Sequence, residues 1–251
     1  MTISYRPQNY KTLRQRLPQK LDWLLHDIHW AVLRGYHGVF RSGFEFSGQK
    51  YHYEFGRRGI IQERAIEIPL AEAALGVLPS PVEVGCVMPH FGNGDHEVID
   101  LYEKCGFCRN MDAATYSFAD SEAKSVLSIS TLEHIGWDLP EPVDANKSVE
   151  VLRKILTSGK PYFVSFPLGY NPYLTSFLER DLFHAPDADS SERRLTVHVA
   201  IFKRILFDRW RSVTLAPGDF SRMSSLNRKP TKYVAFLWNG VDVRPTEKLR
   251  G

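Results

Sequence analysis

Three carboxylates, Glu83, Asp100 and Asp112, a Glu133-His134 pair and the cysteines Cys86, Cys105 and Cys108 are the residues best suited to chemistry in this sequence. Glu83, Asp100 and Glu133 each stand within or just beyond a short, β-branched apolar run, and Asp112-Ala113 is expected just after a third strand whose bounds the sequence does not mark. Carboxylates so placed could accept the hydroxyls of a nucleotide-like sugar. Glu133 and His134 could take and return a proton. Plainer tasks also exist for each: Glu83 as a buried structural acid beside a tight turn at Gly85, Asp100 in a surface ion pair, His134 bonded to a backbone group, Glu133 capping a turn. Cys105-Gly106-Phe107-Cys108 has the spacing of a redox dithiol, but it does not open a helix directly after a strand. Cys86 with His90 or His96 lacks the paired spacings of a zinc site. Neither redox nor metal chemistry is expected, and no metal ligand is assigned.

The surrounding pattern shows which elements must hold these groups. Leu21, Leu25, Ile28 and Val32 recur at helical spacing within a helix predicted over Gln19 to Arg34. Alternation in Phe44–Phe46 and Tyr51–Phe55, around Ser47-Gly48-Gln49, predicts a β-hairpin with a three-residue connection. Beyond Glu63 the reading is alternating helix and strand. Ile66, Leu70, Ala73 and Val77 mark a helix face that Pro69 must kink or begin. Strands are predicted at Val82–Val84, Glu97–Leu101, Ser125–Ile129, Tyr162–Phe166, Ser212–Leu215 and Tyr233–Trp238. Val149, Leu152 and Leu156 lie on one helix, and Asn171-Pro172 opens another that runs through Leu178. Residues 196–210 could be helix, strand, or one after the other. The sum is an α/β, doubly wound, mostly parallel sheet, with 1–60 as a helix and hairpin extension and 61–251 as the main domain. Ligands in such sheets bind beyond the C-terminal ends of the strands, where strand order reverses. The candidate residues fall there.

The chain of 251 residues is 43% hydrophobic and 24% charged, which excludes wholesale disorder and fibrous repeats. No apolar run approaches the roughly 20 residues needed to span a bilayer. The polar start and three cysteines lead us to expect a cytoplasmic protein. Residues 1–60 carry ten Lys/Arg against four Asp/Glu, while the rest of the chain is acidic on balance. That basic arm has no dense basic block and no nucleic-acid motif, which argues against nucleic acid as partner. Homo-oligomerisation is left open.

Four segments resemble the class I S-adenosylmethionine-dependent methyltransferases, in particular a bacterial subset associated with small molecules and glycans. They are Glu83-Val84-Gly85-Cys86, Ile129-Ser130-Thr131-Leu132-Glu133-His134-Ile135-Gly136, Glu63-Arg64-Ala65-Ile66-Glu67-Ile68-Pro69 and Pro167-Leu168-Gly169-Tyr170-Asn171-Pro172. The resemblance spans residues 63 to 178, or 116 of 251 positions. It implies S-adenosylmethionine as cofactor and a small-molecule acceptor, plausibly a sugar or glycan precursor. It also implies cofactor contacts from Glu83, Gly85, Asp100 (ribose), Asp112 and Ala113 (adenine), Ser130 and Thr131, with His134 and Glu133 as catalytic groups. The family's glycine-rich turn is altered here: Gly85 is followed by Val87 and Pro89, which leaves little room for a helix before the next strand. A methyltransferase-fold scaffold that has lost its cofactor is therefore the alternative. A nicotinamide-dependent oxidoreductase is a weaker one, because no Gly-x-Gly-x-x-Gly follows the first strand.

Overall fold

The computed structural model describes residues 43–54, 63–138, 144, 146–183, 197–205, 209–214 and 232–243, together with 28, 31, 32, 35 and 36. The chain divides into two units, 1–42 and 43–251, and only the second is described below. Most of the helix expected over Gln19 to Arg34 lies outside the described residues. The stretch from Ala216 to Lys232, for which the sequence suggests a flap over the strand ends, also lies outside them apart from Lys232.

Strand β1 (Gly43–Phe46) and strand β2 (Gln49–His52) form the hairpin. Helix α1 (Arg64–Leu75) leads into β3 (Pro81–Val84), β4 (Glu97–Asp100), β5 (Cys108–Asn110) and β6 (Ser125–Ile129). Then follow α2 (Lys147–Leu156), β7 (Tyr162–Pro167), α3 (Pro172–Phe177), β8 (His198–Arg204), β9 (Trp210–Val213) and β10 (Tyr233–Asn239). The last eight strands make one sheet in the order β5-β4-β3-β6-β7-β10-β8-β9. The five from β5 to β7 are parallel, and β10, β8 and β9 continue antiparallel. Order reverses between β3 and β6. An antiparallel strand inserted next to β7 completes the Rossmann-like methyltransferase fold that the resemblance implies.

Alternation along the central strands explains the two apolar layers. Tyr162, Val164 and Phe166 face a core shared with Val151, Leu152 and Ile155 of α2 and Leu174 of α3. Phe163 faces the opposite core with Phe202, Phe236, Ile66 and Leu70, and with Phe44, Phe46 and Tyr51 of the hairpin. Phe46 lies between Phe236 and Trp238, with ring centroids at 5.8 and 4.8 Å. The hairpin thus shares a core with the sheet and covers the face that α1 leaves open. A fully buried aromatic side chain contributes about 1.5–3 kcal/mol of burial free energy, so these contacts hold the hairpin firmly.

Local chemistry corrects several expectations. The hairpin turns on two residues, Ser47 and Gly48, both with positive φ (48° and 74°), as the right-handed twist of paired strands favours. Pro69 lies inside α1 without ending it. Proline removes the N–H that would bond Ala65 O, and the Glu54 N–H donates to that carbonyl instead at 3.0 Å. The ambiguous stretch after residue 196 supplies β8 and then the start of β9. The third strand, expected before Asp112 without bounds, is β5, only three residues long and mostly exposed.

Candidate functional site

The C-terminal ends of β3 and β6 meet at the point of strand reversal, and most of the predicted site residues gather there. Gly85 follows β3 with φ 87°, and its N–H donates to Ile99 O at 2.9 Å. Thr131 follows β6 and stands directly against it; a Cβ at Gly85 would lie 2.1 Å from Thr131 Oγ1. Glycine is required here by conformation and by space.

Glu83 is fully buried and faces inward. One carboxylate oxygen accepts from the Val87 and Met88 N–H groups at 2.8 and 2.9 Å, and the other accepts from His96 Nε2 at 2.6 Å. It organises the short 3-10 turn Met88–Phe91, in the connection where the sequence leaves little room for a helix. Its carboxylate is thus bonded on both oxygens within the chain, and it shapes the turn after β3.

Asp100, half-buried at the end of β4, is the best-placed acid for a diol. Its Oδ1 accepts from the N–H groups of Tyr102 and Glu103, both at 2.8 Å, and its Oδ2 accepts from Cys86 N–H at 3.3 Å. A carboxylate has about four acceptor directions, so one remains after these three bonds. Asp112 is held by Lys147 Nζ at 2.7 Å and by the Ala114 N–H at 2.9 Å. Burial opposes ionisation of Asp112, but these partners outweigh it and lower its pKa. Ala113 is buried beside it in the apolar core.

Ser130 points away from the crevice. With a positive φ of 39°, it donates its hydroxyl to Glu67 Oε1 at 2.6 Å, and Ser165 donates to the same oxygen at 2.7 Å. Arg64 donates to Ile129 O at 3.0 Å and stands 3.5 Å from the other Glu67 oxygen. The segment from Glu63 to Pro69 therefore ties α1 to the ends of β6 and β7. Sequence reading had singled it out only by resemblance.

The Glu133-His134 pair lies on the 3-10 turn Leu132–His134. Glu133 is 2% exposed, and its Oε2 has no hydrogen-bond partner among the described residues. Burial raises the Glu133 pKa to about 7, against the opposing pull of His134 and Arg64. His134 is one-third exposed, with Nε2 3.4 Å from Glu133 and Nδ1 bonded to Asp138 Oδ2. Burial works against the imidazolium, but the Glu133 and Asp138 carboxylates prevail and raise its pKa. Tyr170 donates its hydroxyl to Asp138 at 2.9 Å, with its ring edge-on to His134 at 4.9 Å. Asp138 and Tyr170 were missed, although both lie in or beside the motif segments at 129–136 and 167–172. The group as a whole can hold and relay one proton at the protein surface.

The three cysteines also converge, which sequence reading did not anticipate. Cys105 and Cys108 form a disulfide, and Cys86 Sγ lies 3.9 Å from Cys105 Sγ. Only residues 101–107 join the parallel strands β4 and β5, too short a connection for a helix, so the cysteine loop folds back over the β3 end. Burial, followed by the nearby carboxylates of Glu83, Glu103 and Asp100, pushes the Cys86 thiol up to about 12. Two surface clefts, of 440 and 220 Å³, lie elsewhere: one beside Phe44 and Trp210, the other beside Tyr116 and Lys154.

No family model matches the chain, and no curated protein matches it. Among solved structures it is similar to a SAM-dependent methyltransferase, described as a possible histamine N-methyltransferase, from Thermotoga maritima. The identity is 10%, with 70% of this chain and 89% of that one covered and a TM-score of 0.36. It is also similar to the methyltransferase domain of bacterial CtHen1-CN, at 9% identity, 66% and 92% coverage and a TM-score of 0.31. A third similar structure is DhpI in a complex with SAM and HEP, at 16% identity, 68% and 84% coverage and a TM-score of 0.28. The fold stands on strand order and register, and these distant likenesses add nothing to the assignment of residues. Among the described residues, no helix is long and apolar enough to cross a membrane.

Proposed function

We propose that the chain binds S-adenosylmethionine beyond the C-terminal ends of β3 and β4 and transfers its methyl group to a small molecule, with a sugar or glycan precursor as the acceptor class. The observation that carries this reading is Asp100: an acid at the end of the strand next to the reversal point, with one acceptor direction left and its Oδ2 bonded to the turn that follows Gly85. Bound there, the cofactor would supply an electrophilic methyl group. Asp100 would accept a ribose hydroxyl, and Gly85 would present its backbone without a side chain. Ala113 and the backbone around Asp112 would border the adenine, with the Asp112 carboxylate kept on Lys147. Thr131 would border the crevice from the β6 side, and Ser130 would hold its backbone from behind through Glu67. Glu83 would set the shape of the loop.

His134 is suited to take the acceptor's proton, because it is the imidazole of the Glu133-His134-Asp138-Tyr170 group and its ring is one-third exposed. The bond from Nδ1 to Asp138 fixes the ring, and Glu133 steadies the imidazolium once formed. We assign the proton transfer to His134 and a supporting role to Glu133.

One observation favours the scaffold reading. Glu83, Asp100, Asp112 and Ser130 all have partners within the chain, and Gly85 touches Thr131. Calorimetric titration with S-adenosylmethionine and S-adenosylhomocysteine decides between them. Saturable binding at one site, lost in a His134-intact Asp100→Ala variant that still folds, supports the enzyme. No heat from either ligand supports the scaffold.

A further inference from the structure

The fold brings all three cysteines of the chain to one place, and that place has the geometry of a ligand set. Cys86 comes from the turn after β3, Cys105 from the short loop after β4, and Cys108 from the first position of β5. Their sulfurs all lie within 4.8 Å of one another. The Cys86–Cys105 sulfur separation of 3.9 Å is close to the edge of a tetrahedron built on zinc–sulfur bonds of about 2.3 Å, which is about 3.8 Å. Cys105 and Cys108 have the two-residue spacing by which one loop supplies two thiolates to a single ion.

The surroundings suit a cation and hold the ligands in place. The Asp100 carboxylate accepts from Cys86 N–H and from Glu103 N–H, so one side chain fixes both the first cysteine and the stem of the cysteine loop. Asn110 donates to Asp100 O at 3.1 Å and to Glu103 O at 2.7 Å, which closes the loop from the β5 side. An ion held here would join three strand ends in the part of the sheet where the β3–β4 and β4–β5 connections have no helix to pack on it.

We propose that Cys86, Cys105 and Cys108, once the Cys105–Cys108 bond is reduced, bind one thiophilic divalent cation of the zinc class. The bond accepts two electrons and two protons from a dithiol, which leaves as its own cyclic disulfide. Cation binding then releases up to three thiol protons and leaves the fourth tetrahedral position to water or an outside ligand. The oxidised chain keeps only the Cys86 thiol, so oxidation and metal binding exclude one another. This assignment stands on the sulfur geometry and is independent of the methyl-transfer reading.

The test uses the full chain, reduced with dithiothreitol, freed of reductant without air and titrated with Co²⁺. A thiolate-to-cobalt charge-transfer band that saturates at one equivalent and is displaced by Zn²⁺ is the expected result. The untreated, disulfide-bonded chain should show no such saturating band. Cys86→Ser leaves the Cys105–Cys108 pair intact and should weaken Co²⁺ binding by roughly tenfold or more, with an unchanged far-ultraviolet circular dichroism spectrum. Protection of all three thiols from alkylation by Zn²⁺, counted by mass spectrometry, supplies a second readout that does not depend on the variant folding. A reduced chain that gives no charge-transfer band and no protection overturns the proposal, and so does a Cys86→Ser chain that binds as tightly as the parent.

Discussion

Gly85 and Thr131 meet across the reversal point of the sheet so closely that any side chain at position 85 would collide with the threonine. The distance from a built Cβ to Thr131 Oγ1 is 2.1 Å, and φ at Gly85 is 87°. Two strand ends belonging to opposite halves of the sheet are thereby fixed against one another at the reversal point.

Gly85→Ala is therefore expected to destabilise the fold by about 3 kcal/mol, from left-handed strain and overpacking together. Urea unfolding of both proteins measures it. Gly92 also has a positive φ (86°), but a Cβ there meets nothing within 4 Å. Gly92→Ala should then cost about 1 kcal/mol, from conformation alone. Equal losses at the two positions would show that the Thr131 contact is unimportant.

The buried Glu83–His96 pair makes a second prediction. Glu83→Ala would strip the Val87 and Met88 N–H groups and His96 of their acceptor at once. Leaving a buried donor without its acceptor costs about 1–3 kcal/mol, and three donors lose theirs here. Glu83→Gln retains an acceptor for the backbone and should lose markedly less. Melting curves for the two variants would separate a structural glutamate, which follows this ranking, from one whose loss affects only ligand binding.

Asp100→Asn tests the site and the loop together. An amide that cannot match the charged acceptor should raise the dissociation constant for S-adenosylmethionine roughly tenfold to a hundredfold. Because Oδ1 and Oδ2 receive three backbone N–H groups, the substitution should also cost about 1–2 kcal/mol of stability. The sequence alone suggests no such cost, since the change in volume is negligible. Titration alongside denaturation, at matched salt, reads both numbers. A stability loss with unchanged affinity would leave Asp100 as a loop staple.

Strands with both faces covered were legible, because Tyr162–Phe166 and Tyr233–Trp238 are nearly unbroken apolar runs. The hairpin was legible by its alternation, though its connection was one residue shorter than expected. The bounds of β5 were illegible, since Cys-Arg-Asn at an exposed edge carries no apolar period. At the site, the strand-end rule located Gly85, Asp100 and Thr131, which depend on backbone position. It could not show which way Glu83 and Ser130 point, because the partners that turn them inward, His96 and Glu67, come from other segments. The cysteine cluster was hidden for the same reason. Cys86 and Cys105 are nineteen residues apart in sequence, and only the short β4–β5 connection brings their sulfurs together.

The Glu133-His134 pair makes stability depend on pH in one direction. Burial raises the folded-state Glu133 pKa from 4.5 to about 7, so the folded chain holds this proton more tightly than the unfolded chain does. Stability from this group is then greatest below about pH 4.5 and falls as pH rises toward 7. Its size, at 1.36 kcal/mol per unit, is of the order of 3 kcal/mol. His134 acts in the same direction: its raised pKa gives a contribution that is complete below 6.5 and is lost as pH rises through the folded value. Glu133→Gln removes the first effect while keeping the shape, and takes from His134 one of its two carboxylate supports. Relative to the parent, the variant should therefore gain stability steadily between pH 4.5 and 7, by up to about 3 kcal/mol. Denaturant unfolding of both proteins across that range measures the difference. Parallel curves would mean that Glu133 ionises as an ordinary carboxylate, and the proton relay built on it would lose its source.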